Sequence, residues 1–210
     1  MRSPSVRATY AATAVATALA GALERRRPLM VSKSLLMPVL QARPSPPLLR
    51  VALAAAWVGD VALLPPASPE DDAAARRRLR RGAAAFAVQQ GAYLVAMRRA
   101  GITPATRVAV PVAVWMGALA SLDARARRSA VDPMIAGYGA LLAAMAATAM
   151  SSQDPVVARG GASFLASDST ILMRELLLRS HASRALAEGL VLSSYAFAQW
   201  SLVDGLTRRS

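Results

Sequence analysis

The stretch VALAAAWVGDVALL, Val51–Leu64, decides how the chain is read. It is apolar almost throughout and carries one carboxylate, Asp60, near its C-terminal end. In a soluble core that acid would need a partner. In a bilayer it costs about 2.5–3.5 kcal/mol on insertion scales, and an acid retained there is a functional candidate. Asp168 sits in a similar setting, in GGASFLASDSTILM, residues 160–173.

The surroundings of these two stretches are equally apolar. The chain has 210 residues, 55% of them hydrophobic, and a mean hydropathy of +0.36. The apolar residues come in blocks, at about 8–23, 28–41, 48–64, 79–97, 105–122, 133–150, 160–178 and 185–205. Blocks of this kind indicate membrane spans. The expected fold is therefore all-α, a polytopic membrane helix bundle of about eight transmembrane helices forming one domain over residues 1–210. Several blocks are shorter than the ~20 residues that cross a hydrocarbon core unaided. Local thinning of the bilayer and snorkelling arginines cover such a mismatch.

The net charge of +13 raises the question of nucleic acid. The arginines, however, fall in short clusters between apolar blocks, where topology and anionic head groups favour them. Nucleic acid is not an expected partner; membrane lipids are. With no cysteine, a disulfide framework and a thiolate metal site are both excluded. The chain has 24 arginines and a single lysine, Lys33. A lysine kept against that bias suggests a specific role, because the two cations are not interchangeable at tuned sites.

The first block has a basic start (Arg2, Arg7) and small residues near its end, as a signal peptide does. It closes on Glu24-Arg25-Arg26-Arg27, a stop-transfer flank, and seven blocks follow, so it reads as a span. Residues 42–47 form a proline-rich turn, and Pro65 and Pro66 end the third helix. Ser68-Pro69-Glu70-Asp71 reads as a helix start with Ser68 as cap, followed by an Asp72–Arg76 surface pair. Basic residues are nearly balanced between the two sides. A slight excess in the odd-numbered connections leans towards both termini outside.

Polar side chains inside the blocks are few: Lys33, Asp60, Gln89, Gln90, Tyr93, Tyr138, Ser167, Asp168, Arg174, Glu175, Tyr195, Gln199 and Asp204. Lipid cannot satisfy them, so they should converge on an interior. Helical spacing agrees. Phe86, Gln90 and Tyr93 share a face, as do Phe164 with Asp168, Tyr195 with Gln199, and Lys33 with Met37. Interhelical hydrogen bonding alone, worth about 0.6 kcal/mol on average, is the competing explanation for Gln90, Tyr138 and Gln199. Arg174, Glu175 and Asp204 lie near block ends, within reach of the interface, and the lone His181 reads as a solvated loop residue. One histidine outside the spans does not make a zinc site, and no metal or other cofactor is expected. A G-x-S-x-G elbow is absent, and a Ser-His-Asp triad has no histidine within the spans. What remains is two buried acids and a lysine. Such acids divide into a proton donor and an ionised partner, suited to hydrolysing an acid-labile C–O bond. A proton-coupled transporter would carry the same groups, so both classes stay open at this level.

Six short segments, in order, give a resemblance. KSLLMP (Lys33–Pro38), VGDVALL (Val58–Leu64), the Phe86/Gln90/Tyr93 pattern, Tyr138, GASFLASDSTI (Gly161–Ile171) and SYAFAQWSL (Ser194–Leu202) together resemble the YhhN-like lysoplasmalogenase family of integral membrane proteins. That family commonly has histidine where this chain has Gln90, and glutamine does not transfer protons at neutral pH. The resemblance implies a multi-pass protein of the bacterial plasma membrane. It implies a metal-independent hydrolase that cleaves the vinyl ether bond of a lysophospholipid substrate, a lysoplasmalogen, to a fatty aldehyde and glycerophosphocholine or glycerophosphoethanolamine. On that reading Asp60 and Asp168 are catalytic, with Asp168 preferred as the acid. Lys33 tunes the pair or meets the phosphate. Gln90, Tyr93, Tyr138, Tyr195 and Gln199 bind and orient substrate and water, and Trp57 or Tyr93 is positioned to face the head-group cation.

Overall fold

The computed structural model describes residues 4–64, 66, 70–127 and 132–209. Among these, all regular structure is helical, in eight helices. They are α1 (Pro4–Ala22), α2 (Arg26–Gln41), α3 (Pro47–Ala62), α4 (Asp72–Arg99), α5 (Thr106–Arg127), α6 (Pro133–Met150), α7 (Pro155–Leu177) and α8 (His181–Thr207). Each apolar block lies largely within one of them.

The helix starts follow local chemistry. Asp132 precedes Pro133 and Asp154 precedes Pro155. In both cases the carboxylate accepts from the backbone two residues on, at 2.9 Å from Met134 and 2.8 Å from Val156, and proline occupies the first turn, where its missing N–H costs nothing. Ser180 caps α8 by accepting from the amide of Ser183 at 3.1 Å. α4 begins later than expected. Asp71 is its cap, accepting from the Ala74 amide at 2.6 Å, so the helix starts at Asp72. Ser68 and Pro69 lie outside the described residues, as does Pro65. The ion pair formed beside this start is Arg78 with Glu70, at 2.5 Å, rather than Asp72 with Arg76.

Seven helices close a ring. Its order is α1, α2, α3, α4, α6, α7, α8 and back to α1, while α5 lies outside against α6 and α7. Small residues set the spacing between neighbours. A Cβ on Gly161 of α7 would fall 2.5 Å from Ala149 Cβ and 3.1 Å from the Ala146 carbonyl of α6. On Gly205 of α8 it would fall 2.4 Å from Val157 of α7, and on Gly189 of α8 2.9 Å from Ala22 of α1. Close backbone approach of this kind is how helices associate where no hydrophobic effect drives them together.

The outer surface is apolar on every helix. Leu19, Leu35, Val51, Val88, Val114, Met134, Ile171 and Leu190, one from each helix in turn, are all exposed. α5 and α6 are each long and apolar enough to cross a membrane alone. The remaining helices are shorter or carry charges at their ends. α2 and α3 have 16 residues each, or about 24 Å at 1.5 Å per residue, against a ~30 Å core.

At the end of the ring where α8 finishes, Asp154 and Asp204 are enclosed by arginines. Asp204 pairs with Arg43 at 2.7 Å and with Arg208. Asp154 pairs with Arg208 at 3.2 Å and Arg209 at 3.8 Å. Partial burial of Asp154 opposes its ionisation, but the Val156 amide and Arg208 outweigh this and hold its carboxyl below the ordinary value.

Two outcomes follow. Gly161→Ala should destabilise the protein by about 1–3 kcal/mol through overpacking of α6 on α7. Gly117→Ala on α5, where a Cβ meets nothing, should be neutral or stabilising by up to about 1 kcal/mol. Thermal unfolding in detergent distinguishes them. Because the folded Asp154 pKa is depressed, its stabilisation is complete above the unfolded value of about 3.9 and is lost as pH falls through the lower folded value. Asp154→Asn should therefore show a shallower fall in unfolding temperature than the parent between about pH 5 and pH 3.

Candidate active site

The ring interior collects the polar groups that the helices could not leave facing lipid. Asp60, 2% exposed, is held from two sides. Lys33 Nζ of α2 lies 3.5 Å from Oδ1, and the Tyr195 hydroxyl of α8 donates to Oδ2 at 2.9 Å. The lysine end of this pair is the more accessible, with 18% of its side chain exposed. Asp168 of α7 is half-buried and accepts from the Tyr138 hydroxyl of α6. Among the described residues no cation pairs with it.

The two acids do not bond to each other. A row of aromatic rings runs through their tyrosines, with Phe86 between the two. Phe86 of α4 meets Tyr195 edge-on at 6.2 Å between centroids and Tyr138 at 6.3 Å, tilted. Phe164 of α7 packs edge-on against Tyr195 at 5.6 Å. The edge-to-face geometry suits the ring quadrupoles. Gly59, which precedes Asp60, makes room for this row. A Cβ there would lie 2.8 Å from the Phe86 ring. The glycine of the Gly59-Asp60 pair thus lets Phe86 reach α3.

A third polar group sits beside the acids. Tyr93 of α4 donates to Gln199 Oε1 of α8 at 2.7 Å, joining opposite sides of the ring. Gln89 and Gln90 are fully buried, and neither amide makes a hydrogen bond within 3.5 Å. The Gln199 amide nitrogen is likewise unpartnered. Gln90 lies beside the Tyr138 hydroxyl, outside hydrogen-bonding geometry. Buried amides without partners are costly to maintain, which marks this patch as a place for water or a hydroxyl ligand.

The eight residues singled out from sequence thus fall into three groups, the first two of them meeting at Phe86. Lys33, Asp60 and Tyr195 form the first, Asp168 and Tyr138 the second with Gln90 at its side, and Tyr93 and Gln199 the third. The Tyr93 hydroxyl is committed to Gln199. Trp57 points away from the interior: it is 42% exposed, and its indole N–H donates to the Ser34 carbonyl at 2.9 Å. His181 pairs with Glu24 at 2.8 Å on the surface, Arg174 with Glu188, and Glu175 with Arg184. The sequence reading missed Tyr10, whose hydroxyl donates to the Ala196 carbonyl at 2.8 Å and fixes α1 on α8. Its signal was being the one aromatic residue in α1.

The Lys33–Asp60 pair should show mutual dependence. Lys33→Met strands a buried carboxylate and should cost about 3 kcal/mol, the low end for breaking a buried pair, because the lysine is partly exposed. Lys33→Met with Asp60→Asn should cost less than the sum of the single changes, by about 0.5–3 kcal/mol. A double-mutant cycle on thermal or denaturant unfolding measures the difference.

No curated protein and no solved structure matches the chain. A family model does: the YhhN family model matches residues 8–206. That span takes in the whole of this interior, from Tyr10 on α1 to Gln199 on α8, and the chain belongs to the YhhN family of membrane proteins.

Proposed function

We propose that the protein is a multi-pass hydrolase of the bacterial plasma membrane that cleaves the vinyl ether bond of lysoplasmalogens. The observation that carries this reading is the unlike environment of two acids within one apolar ring. Asp60 has a lysine ammonium and a tyrosine hydroxyl, which suit an ionised carboxylate. Asp168 also accepts from a tyrosine, but among the described residues no cation stands beside it, and the lack of a counter-charge in an apolar surrounding suits a carboxylic acid that still holds its proton. The apolar outer surface of all eight helices supports the multi-pass arrangement.

The chemistry needs these two states. Asp168 gives its proton to the outer vinyl carbon, and the ether oxygen shares the resulting positive charge as an oxocarbenium ion. Asp60, fixed as the carboxylate, stabilises that cation and takes a proton from the attacking water. Water adds to the carbon next to the ether oxygen to give a hemiacetal. The hemiacetal C–O bond then breaks: Asp60 passes the proton it took from water to the departing glycerol oxygen, Asp168 takes the proton of the hemiacetal hydroxyl, and a fatty aldehyde and the glycerol hydroxyl leave with both acids restored to their starting states. Tyr138 and Tyr195 orient the two acids. The unpartnered amide of Gln90, beside Tyr138, orients water; where the family commonly has histidine, this chain offers a hydrogen-bonding group that does not transfer protons at neutral pH. Lys33, at the accessible end of its pair, meets the substrate phosphate.

Purified protein in detergent should release fatty aldehyde from lysoplasmenylethanolamine, followed by NADH formation with a coupled aldehyde dehydrogenase. Asp60→Asn and Asp168→Asn should each lower turnover by about 100-fold or more, the usual scale for losing a general acid or base. Near wild-type turnover in both folded variants would overturn the mechanism. Specific lipid binding or proton flux without aldehyde would replace the hydrolase reading with a transport one.

A further inference from the structure

α2 contains Pro38 in its interior. Proline has no amide hydrogen, so the carbonyl four residues earlier, that of Ser34, loses its helical partner. Such a carbonyl on the outer, lipid-facing side of a span costs free energy unless another donor reaches it. The donor here is the Trp57 indole of α3, 2.9 Å away. Ser34 directly follows Lys33, and Trp57 lies one turn before Asp60. The two helices are therefore joined twice at one level: by Trp57 to the Ser34 carbonyl on the outer face, and by Lys33 to Asp60, at 3.5 Å, on the inner face.

We propose that Trp57 is a positioning residue. Its N–H replaces the amide that Pro38 lacks, and this bond sets the rotation of α2 that aims Lys33 at Asp60. Pro38 and Trp57 act as a pair: the proline frees a carbonyl, and the tryptophan uses it as an anchor between helices. A backbone bond in place of Pro38 would make the indole dispensable. Through Asp60 this inference rests on the hydrolase reading for its effect on turnover, but not for its effect on Lys33.

The test is a double-mutant cycle of Trp57→Phe and Pro38→Ala in the full chain in detergent, with two readouts. Phenylalanine keeps an aromatic ring and removes the donor; alanine restores the amide to the Ser34 carbonyl. Lys33 is the sole lysine, so an amine-reactive reagent followed by peptide mass spectrometry reports on it without any activity. Trp57→Phe alone should raise the Lys33 labelling rate about fivefold and lower kcat about tenfold, with KM within about twofold. In the Pro38→Ala background the same change should alter both by less than about twofold. An equal effect in both backgrounds, or none in the parent, overturns the proposal. If wild type releases no aldehyde yet the labelling cycle shows the dependence, the hydrolase reading fails and the anchor stands. If aldehyde is released and Trp57→Phe leaves labelling and kcat unchanged, the anchor fails and the hydrolase reading stands.

Discussion

A polar side chain at mid-depth in a bilayer has no solvent to turn to, and this constraint shapes the molecule. Each helix is apolar outside, so polar groups can be satisfied only across the ring. The structure meets that requirement with bonds between helices far apart in sequence: Tyr195 to Asp60, Tyr93 to Gln199, Tyr138 to Asp168 and Tyr10 to the Ala196 carbonyl. The helices and their inner polar groups depend on one another. Without the ring the acids would face lipid, and without the acids and tyrosines the ring would be held mainly by the close fit of small residues.

The same constraint separates the two acids chemically. An interior with little polarity amplifies small differences in surroundings. One ammonium near Asp60, and none near Asp168 among the described residues, is a large difference in such a place. Phe86 stands between the two tyrosines as an apolar spacer, and Gly59 makes its position possible. The proposed hydrolysis calls for no nucleophilic side chain and no strained backbone at the site. It needs two carboxyl groups kept in different states, with water admitted between them. The unpartnered amide of Gln90, beside Tyr138 of α6, is a group that could hold such water.

The helices were legible because each apolar block is bounded by caps, prolines or arginines. The acids were legible because each is isolated in apolar sequence. Boundaries failed where several candidate residues lay in a row. Ser68, Glu70, Asp71 and Asp72 all favour a helix start, and only three-dimensional context selects Asp71. Pairings were beyond reach for a different reason. Periodicity places Gln90 and Tyr93 on one face of α4, but does not say that α6 lies on one side of that face and α8 across from it. Trp57 shows the limit well. Its aromatic ring suggested a head-group cation, whereas the lost amide of Pro38, visible in the sequence all along, accounts for its position.

The place of α5 outside the ring has a consequence for parity. Helices joined by short connections run alternately up and down, and an odd number of them cannot alternate all the way round a closed circle. One neighbouring pair must point the same way. That pair is α4 and α6, because α5 makes the return journey on the outside. The cap of α6 is tied to the third turn of α4 by Asp132 and Arg80 at 2.7 Å, and running onward together the two helices bring Phe86 beside Tyr138. The outlying helix is thus the device that lets two helices of the ring share one direction, and so puts the spacer between the acids beside the tyrosine of the second one.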